Sequence, residues 1–171
     1  MRIPLDYICI KSGILCPRCQ RLVDSGVVSN LDVELMKALL DIEENQSNFR
    51  FLKESSYVRS VQQGRMIVVI LDIPDTVPQQ TLIRLSRLLS ERLGGFKVRI
   101  VRNSNDLKSM VSQIVAPARI MGINTVWLPD GSVQHVIRMP RYDARLLPAP
   151  MKDIETLLTQ LFKYNFRIKL V

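Results

Sequence analysis

SYVRSVQQGRMIVVILDIPDTVPQQTLIRLSRLLSERLGGFKVRIVR, residues 56–102, holds the pattern from which the rest of the chain can be read. It begins as two strands, 56–62 and 65–72, with Gly64 at the turn between them. A proline-containing loop, 73–79, follows. In residues 80–93, Leu82, Leu85, Leu89 and Leu93 recur on one helical face, while Arg84, Arg87 and Glu91 lie off it. Gly94-Gly95 is the stop expected at a helix C-terminus. FKVRIVR (96–102) alternates strictly, the period of a half-buried strand.

The same order continues outward on both sides. Upstream, a helix is predicted from Ser29 or Asn30, with Leu31, Leu35, Leu39 and Ile42 at helical spacing and Met36 and Leu40 widening the stripe. Asp32 and Glu34 in its first turn suit the positive end of the helix dipole. Asn45 to Asn48 form a polar break. Downstream, residues 104–115 are predicted helical, with Ser104 or Asn105 as cap and Pro117 beyond the end. A strand at 118–128, a turn at Pro129-Asp130-Gly131 and a strand at 132–139 come next. A proline-containing loop at 146–150, a helix at 151–163 and a strand at 166–171 complete the series. The order helix, strand, strand, proline loop, helix, strand therefore occurs twice, with a period of about 70 residues. The expected fold class is α+β. The expected organisation is a cysteine-containing segment over 1–29, one module over 30–102 and a second over 103–171.

Hydrophobic residues make up 47% of the 171, enough to bury a core. The formal charge is +8, which favours a polyanionic partner, nucleic acid being the commonest. A basic protein without such a partner is the plain alternative. The charge is uneven. Residues 1–48 carry five Lys/Arg against seven Asp/Glu, 49–102 ten against four, and 103–171 nine against five. No apolar run is long enough for a membrane span, and the start of the chain lacks a leader pattern, so a cytoplasmic protein is expected.

All three cysteines lie in the first nineteen residues, which points to a local site rather than a disulfide framework. Cys9, Cys16 and Cys19 are spaced C-x6-C-x2-C, and Cys16-Pro-Arg-Cys19 is a knuckle from which two thiolates can reach one ion. Cys9, on a strand predicted at 5–10, would fold back beside it. Zinc wants four ligands, and candidates for the fourth are His135, Asp24 or a group on a partner. An iron–sulfur cluster and three buried thiols are the competing readings.

Catalysis usually shows as a polar constellation. One histidine and scattered carboxylates provide none, and no phosphate-binding glycine motif is present. Redox work by Cys16-x-x-Cys19 would want a thioredoxin-like context, which the basic repeat does not supply. The chain is not expected to be an enzyme.

The doubled order α-β-β-loop-α-β resembles the type II KH module. The second unit resembles the C-terminal KH of archaeal NusA-like proteins, the joint KVRIVRNSNDLKSMVSQIVAPARIMGIN is similar to the way the two KH units of NusA run into each other, and ICIKSGILCPRCQRLVDSG resembles an N-terminal extension that some archaeal NusA-like KH proteins carry. Such modules hold a Gly-x-x-Gly loop before the second helix. Pro148-Ala149-Pro150-Met151 stands in that place in the second unit, and Thr76-Val77-Pro78-Gln79-Gln80 in the first. Both have lost the glycines that let phosphates approach the backbone, and proline donates no N–H. The resemblance implies an RNA-binding accessory factor in transcription elongation or termination, with RNA and RNA polymerase or the ribosome as partners. The alternative it leaves open is an adaptor on polymerase or ribosome that uses degenerate KH folds for protein contacts. Candidate RNA contacts are Arg65, Arg84 and Arg87 in the first unit and Arg141, Arg145 and Lys152 in the second. Arg99, Arg102, Arg138, Arg167 and Lys169 alternate along strands and are candidates for an open sheet face. Tyr142 is a candidate for base stacking.

Overall fold

The computed structural model describes residues 1–171. Six α-helices and six strands run in the order α1 (Tyr7–Ser12), α2 (Pro17–Asp24), α3 (Asn30–Asn45), β1 (Ser56–Gln63), β2 (Met66–Asp72), α4 (Gln79–Arg92), β3 (Lys97–Arg102), α5 (Leu107–Val115), β4 (Gly122–Trp127), β5 (Val133–Met139), α6 (Met151–Phe162) and β6 (Asn165–Leu170). Short 3-10 segments cover Ser47–Glu54 and Arg141–Leu146. The repeated order of helix, two strands, helix and strand is present in both halves. Two three-stranded sheets result, ordered β1-β2-β3 and β4-β5-β6. The chain divides into two compact units, one of residues 1–60 and 69–103, the other of 61–68 and 104–171.

In the first sheet β2 is central, and its residues Met66 to Leu71 are all buried, as the continuous apolar run MIVVIL requires. Leu82, Leu85 and Leu89 of α4 are buried, while Arg84 and Arg87 on the opposite side of that helix are exposed. Leu35, Met36, Leu39, Leu40 and Ile42 of α3 are likewise buried. Ser29 caps α3 reciprocally: its side chain accepts from Asp32 N–H, and Asp32 Oδ2 accepts from Ser29 N–H. Asp32 is itself buried, and its Oδ1 accepts from Tyr57 Oη, Ser60 N and Ser60 Oγ. That one carboxylate ties the first turn of α3 to β1. Burial first, and then the neighbouring Asp32 carboxylate, raise the Tyr57 phenol far above its ordinary pKa.

In the second sheet β4 pairs antiparallel and β6 pairs parallel with the central β5. Ile137, Met139 and Phe166 are buried on one face, as are Ile154, Leu157, Leu158 and Leu161 of α6. Their alternate neighbours turn to the other face. Both modules blunt the exposed edge of the last strand in the same way. Ser90 Oγ and Ser86 Oγ of α4 accept from Val98 N and Ile100 N of β3, at 3.0 and 3.2 Å. Glu155 of α6 accepts from Ile168 N of β6 at 2.8 Å.

Several local expectations are corrected. Residues 7–12 are helix, not the strand expected at 5–10: Leu5, Cys9 and Ile10 are buried while Tyr7 and Ile8 are exposed, a spacing nearer four than two. Asp106, not Ser104 or Asn105, caps α5, accepting from the N–H groups of Lys108 and Ser109. Strand β4 begins at Gly122 rather than 118, because the Arg119 N–H is taken by the Asp143 carboxylate at 2.8 Å. Residues 141–146 form a 3-10 turn where the strand-to-loop passage was expected. No helix is long and apolar enough to cross a membrane.

Candidate metal centre and cationic surfaces

The cysteine segment folds into a compact knuckle. Cys9 lies in α1, and Gly13, at φ 77°, closes that helix with its N–H on Cys9 O. The positive φ lets the chain double back, so that Cys16 becomes the N-cap of α2 with Pro17 in its first turn. Cys19 follows one turn later and is fully buried. Three backbone N–H groups point at the three sulfurs: Asp6 N to Cys19 Sγ at 3.2 Å, Cys16 N to Cys9 Sγ at 3.3 Å and Cys19 N to Cys16 Sγ at 3.5 Å. Sulfur is a weak acceptor as a thiol and a much better one as a thiolate, so these N–H groups would strengthen their bonds to sulfurs ionised by a bound metal.

The fourth candidate donor is Asp6. One ligand atom from each of Asp6, Cys9, Cys16 and Cys19 lies within 4.8 Å of all the others. Four donors around one zinc, with bonds of about 2.0–2.3 Å, stand about 3.5–3.8 Å apart, so a small contraction closes the shell. The cysteines are free, and no disulfide competes. The group can hold a metal ion. Neither Asp24 nor His135, two of the groups expected in the fourth place, belongs to this cluster. Asp24 sits at the end of α2, where Gln20 donates to it. His135 belongs to the other unit and packs against Tyr164 and Phe166, with ring centroids 5.0 and 5.3 Å away. Asp6 lies three residues before Cys9, a ligand-like offset on one helical turn. Its sequence neighbours suggested a strand, and on a strand it would have pointed away.

The electrostatics of the knuckle are divided. The Cys19 N–H holds the Cys16 thiol below its ordinary pKa, whereas burial pushes the Cys19 thiol up to about 11. The Cys16 thiol, with help from Arg18, holds the Asp6 carboxyl below the usual carboxylate range. Arg18 Nη1 donates to Asp6 Oδ1 at 2.8 Å, leaving Oδ2 to face Cys16 Sγ at 3.3 Å. Arg18 thus orients the carboxylate from outside the donor set, as partners of metal ligands commonly do.

The six candidate RNA contacts, Arg65, Arg84, Arg87, Arg141, Arg145 and Lys152, are all exposed, and none pairs with a carboxylate. Arg84 and Arg87 share the outer side of α4. Arg141 and Arg145 bracket the 3-10 turn, where Arg145 Nε donates to Tyr142 O, and Lys152 stands in the first turn of α6. Tyr142 is 60% exposed with the Arg119 guanidinium 5.9 Å from its ring centroid, so its outer face is already shared with a cation. The strand cations differ from one another. Arg102 is tied to Val77 O at 2.7 Å, and Arg99 is partly desolvated, which lowers its pKa. Arg167 and Lys169 are exposed on β6.

No family model matches this chain, and no curated protein does. Among solved structures, the crystal structure of APE1850 is similar at a TM-score of 0.52 and 18% identity, over 78% of this chain and 96% of that one. At that identity the likeness is one of fold alone. It supports an α+β architecture.

Proposed function

We propose that this chain is an RNA-binding, NusA-like accessory factor made of two type II KH-like modules, with a zinc ion organising its N-terminal knuckle. The observation that carries the reading is the topology of the second module. Strand β5 runs parallel to β6, and the connection between them passes through a 3-10 turn, a Pro148–Pro150 loop and α6, with β4 antiparallel at the other side. That is the order a type II KH module requires, and the first module repeats its sequence of elements. Positive charge concentrated after residue 48 supplies the attraction for phosphates. The test is titration of labelled single-stranded RNA at low and moderate salt. Binding with a clear salt slope is expected. Absence of binding at low salt refutes RNA recognition and leaves the adaptor on polymerase or ribosome.

Zinc is the ion that suits three thiolates and one carboxylate about a single point. Hard cations such as magnesium or calcium prefer all-oxygen shells. An iron–sulfur cluster places its own sulfides between the protein ligands and spreads them further than these four atoms are spread. A bound zinc would fix α1 against α2 and hold the thiols ionised. Elemental analysis of freshly purified protein should find one zinc per chain. Metal-free protein with unaltered stability would remove this part of the proposal.

A further inference from the structure

We infer that the open face of the second sheet, not the loop before α6, is where a single-stranded RNA backbone lies. The inference rests on the RNA reading above and adds a location to it. Strand alternation and register set the face. It presents Gly122, Asn124 and Val126 from β4, Gln134, Val136 and Arg138 from β5, and Asn165, Arg167 and Lys169 from β6. Three cations stand among amides and small aliphatic groups, and no acidic residue occupies the face. Glu155 reaches Arg167 only from the strand edge, at 3.7 Å. Asn124, Val126, Asn165, Arg167 and Lys169 are exposed.

Arg138 provides an independent sign. Its register partner is Gly122, and an added Cβ there would lie 3.4 Å from Arg138 Nη2. The Arg138 guanidinium therefore lies against Gly122 along the sheet. Arg138 Nε is buried and has no hydrogen-bond partner. Nε is shielded from solvent, so a phosphate oxygen would meet this guanidinium at its terminal nitrogens, which no carboxylate or carbonyl of the protein holds. Arg167 and Lys169, two residues apart, stand about 6.6 Å apart along the strand, close to the spacing of successive phosphates in an extended single strand. The flanking amides offer donors and acceptors to base edges and 2′-hydroxyls.

The loop before α6 is poorly equipped by comparison. Pro148 and Pro150 donate no N–H. Asp153 places a negative charge in its first turn, where a phosphate would have to sit. The hairpin tip also crowds that charge, since a Cβ on Gly64 would meet Asp153 Oδ2 at 3.3 Å.

The experiment compares two triple variants by fluorescence anisotropy with a labelled 12-nucleotide single-stranded RNA across a salt series. R138Q/R167Q/K169Q is expected to lower the log–log salt slope by about 2, at roughly 0.7 per lost single-strand phosphate contact, and to weaken binding at least about tenfold. R141Q/R145Q/K152Q is expected to leave the slope close to wild type. Asn124→Glu, which spares every cation but adds an anion to the face, should also weaken binding and guards against misfolding of the first triple. Loss of slope in the loop triple with none in the sheet triple and Asn124→Glu overturns the location and leaves the RNA reading intact. A wild-type protein that binds no RNA at low salt overturns both.

Discussion

Removing the metal is the perturbation with the most calculable consequence. The four donors belong to the unit of residues 1–60 and 69–103, and Cys19 and Cys9 are buried within it. A ligand that binds only the folded state stabilises it by about 2.7 kcal/mol when its free concentration is 100 times its dissociation constant. A domain of 60–100 residues gains about 4–8 °C in melting temperature per kcal/mol, and one of 150–250 residues about 2–4 °C. Zinc at that excess should therefore raise the midpoint by about 5–11 °C if all 171 residues melt together, and by about 11–22 °C if the first unit melts alone. The assay is differential scanning calorimetry of protein stripped by chelator, then buffered at fixed free zinc. C9S/C16S/C19S should show no zinc-dependent rise. A midpoint in the wild type that zinc leaves within about 1 °C, or an equal response in the triple serine variant, would show that these four side chains do not form a centre.

The remaining expectations concern single residues. Arg18→Ala should weaken metal binding about 10–100-fold, as losses of groups that orient a metal ligand typically do, measured by competition with a chromophoric chelator. Asp6→Ala should alter the visible spectrum of the cobalt-substituted protein by changing the donor set; an identical spectrum would exclude Asp6 as a ligand. Asp32→Ala should cost about 3–5 kcal/mol by chemical denaturation, because it strands the Tyr57 hydroxyl and the Ser60 donors and removes the α3 capping box. Asp143 is held below its ordinary pKa by hydrogen bonds from Arg119, whose Nε donates at 3.1 Å. A depressed carboxyl contributes stability above its unfolded value near pH 4 and loses it as pH falls through the folded value. The stability gap between wild type and Asp143→Asn should therefore narrow below about pH 4; a gap constant from pH 6 to pH 2.5 would refute the linkage.

The amino-acid order alone determined the repeated architecture. Leu82, Leu85 and Leu89, the run MIVVIL and the alternation of FKVRIVR are statements about which face is apolar, and burial obeys them because the hydrophobic effect acts on each element's own pattern. It also exposed the three cysteines as one local group. It did not distinguish helix from strand over residues 7–12, since a short apolar run fits either and neighbouring elements choose. That choice placed Asp6 beside the thiols, because ligand sets are decided by directions in space and not by spacing alone. Tertiary structure likewise separated the strand cations, tying Arg102 Nη2 to the Val77 carbonyl and pairing Arg167 with Glu155. A sequence names which groups carry charge; only packing decides which of them are already spoken for.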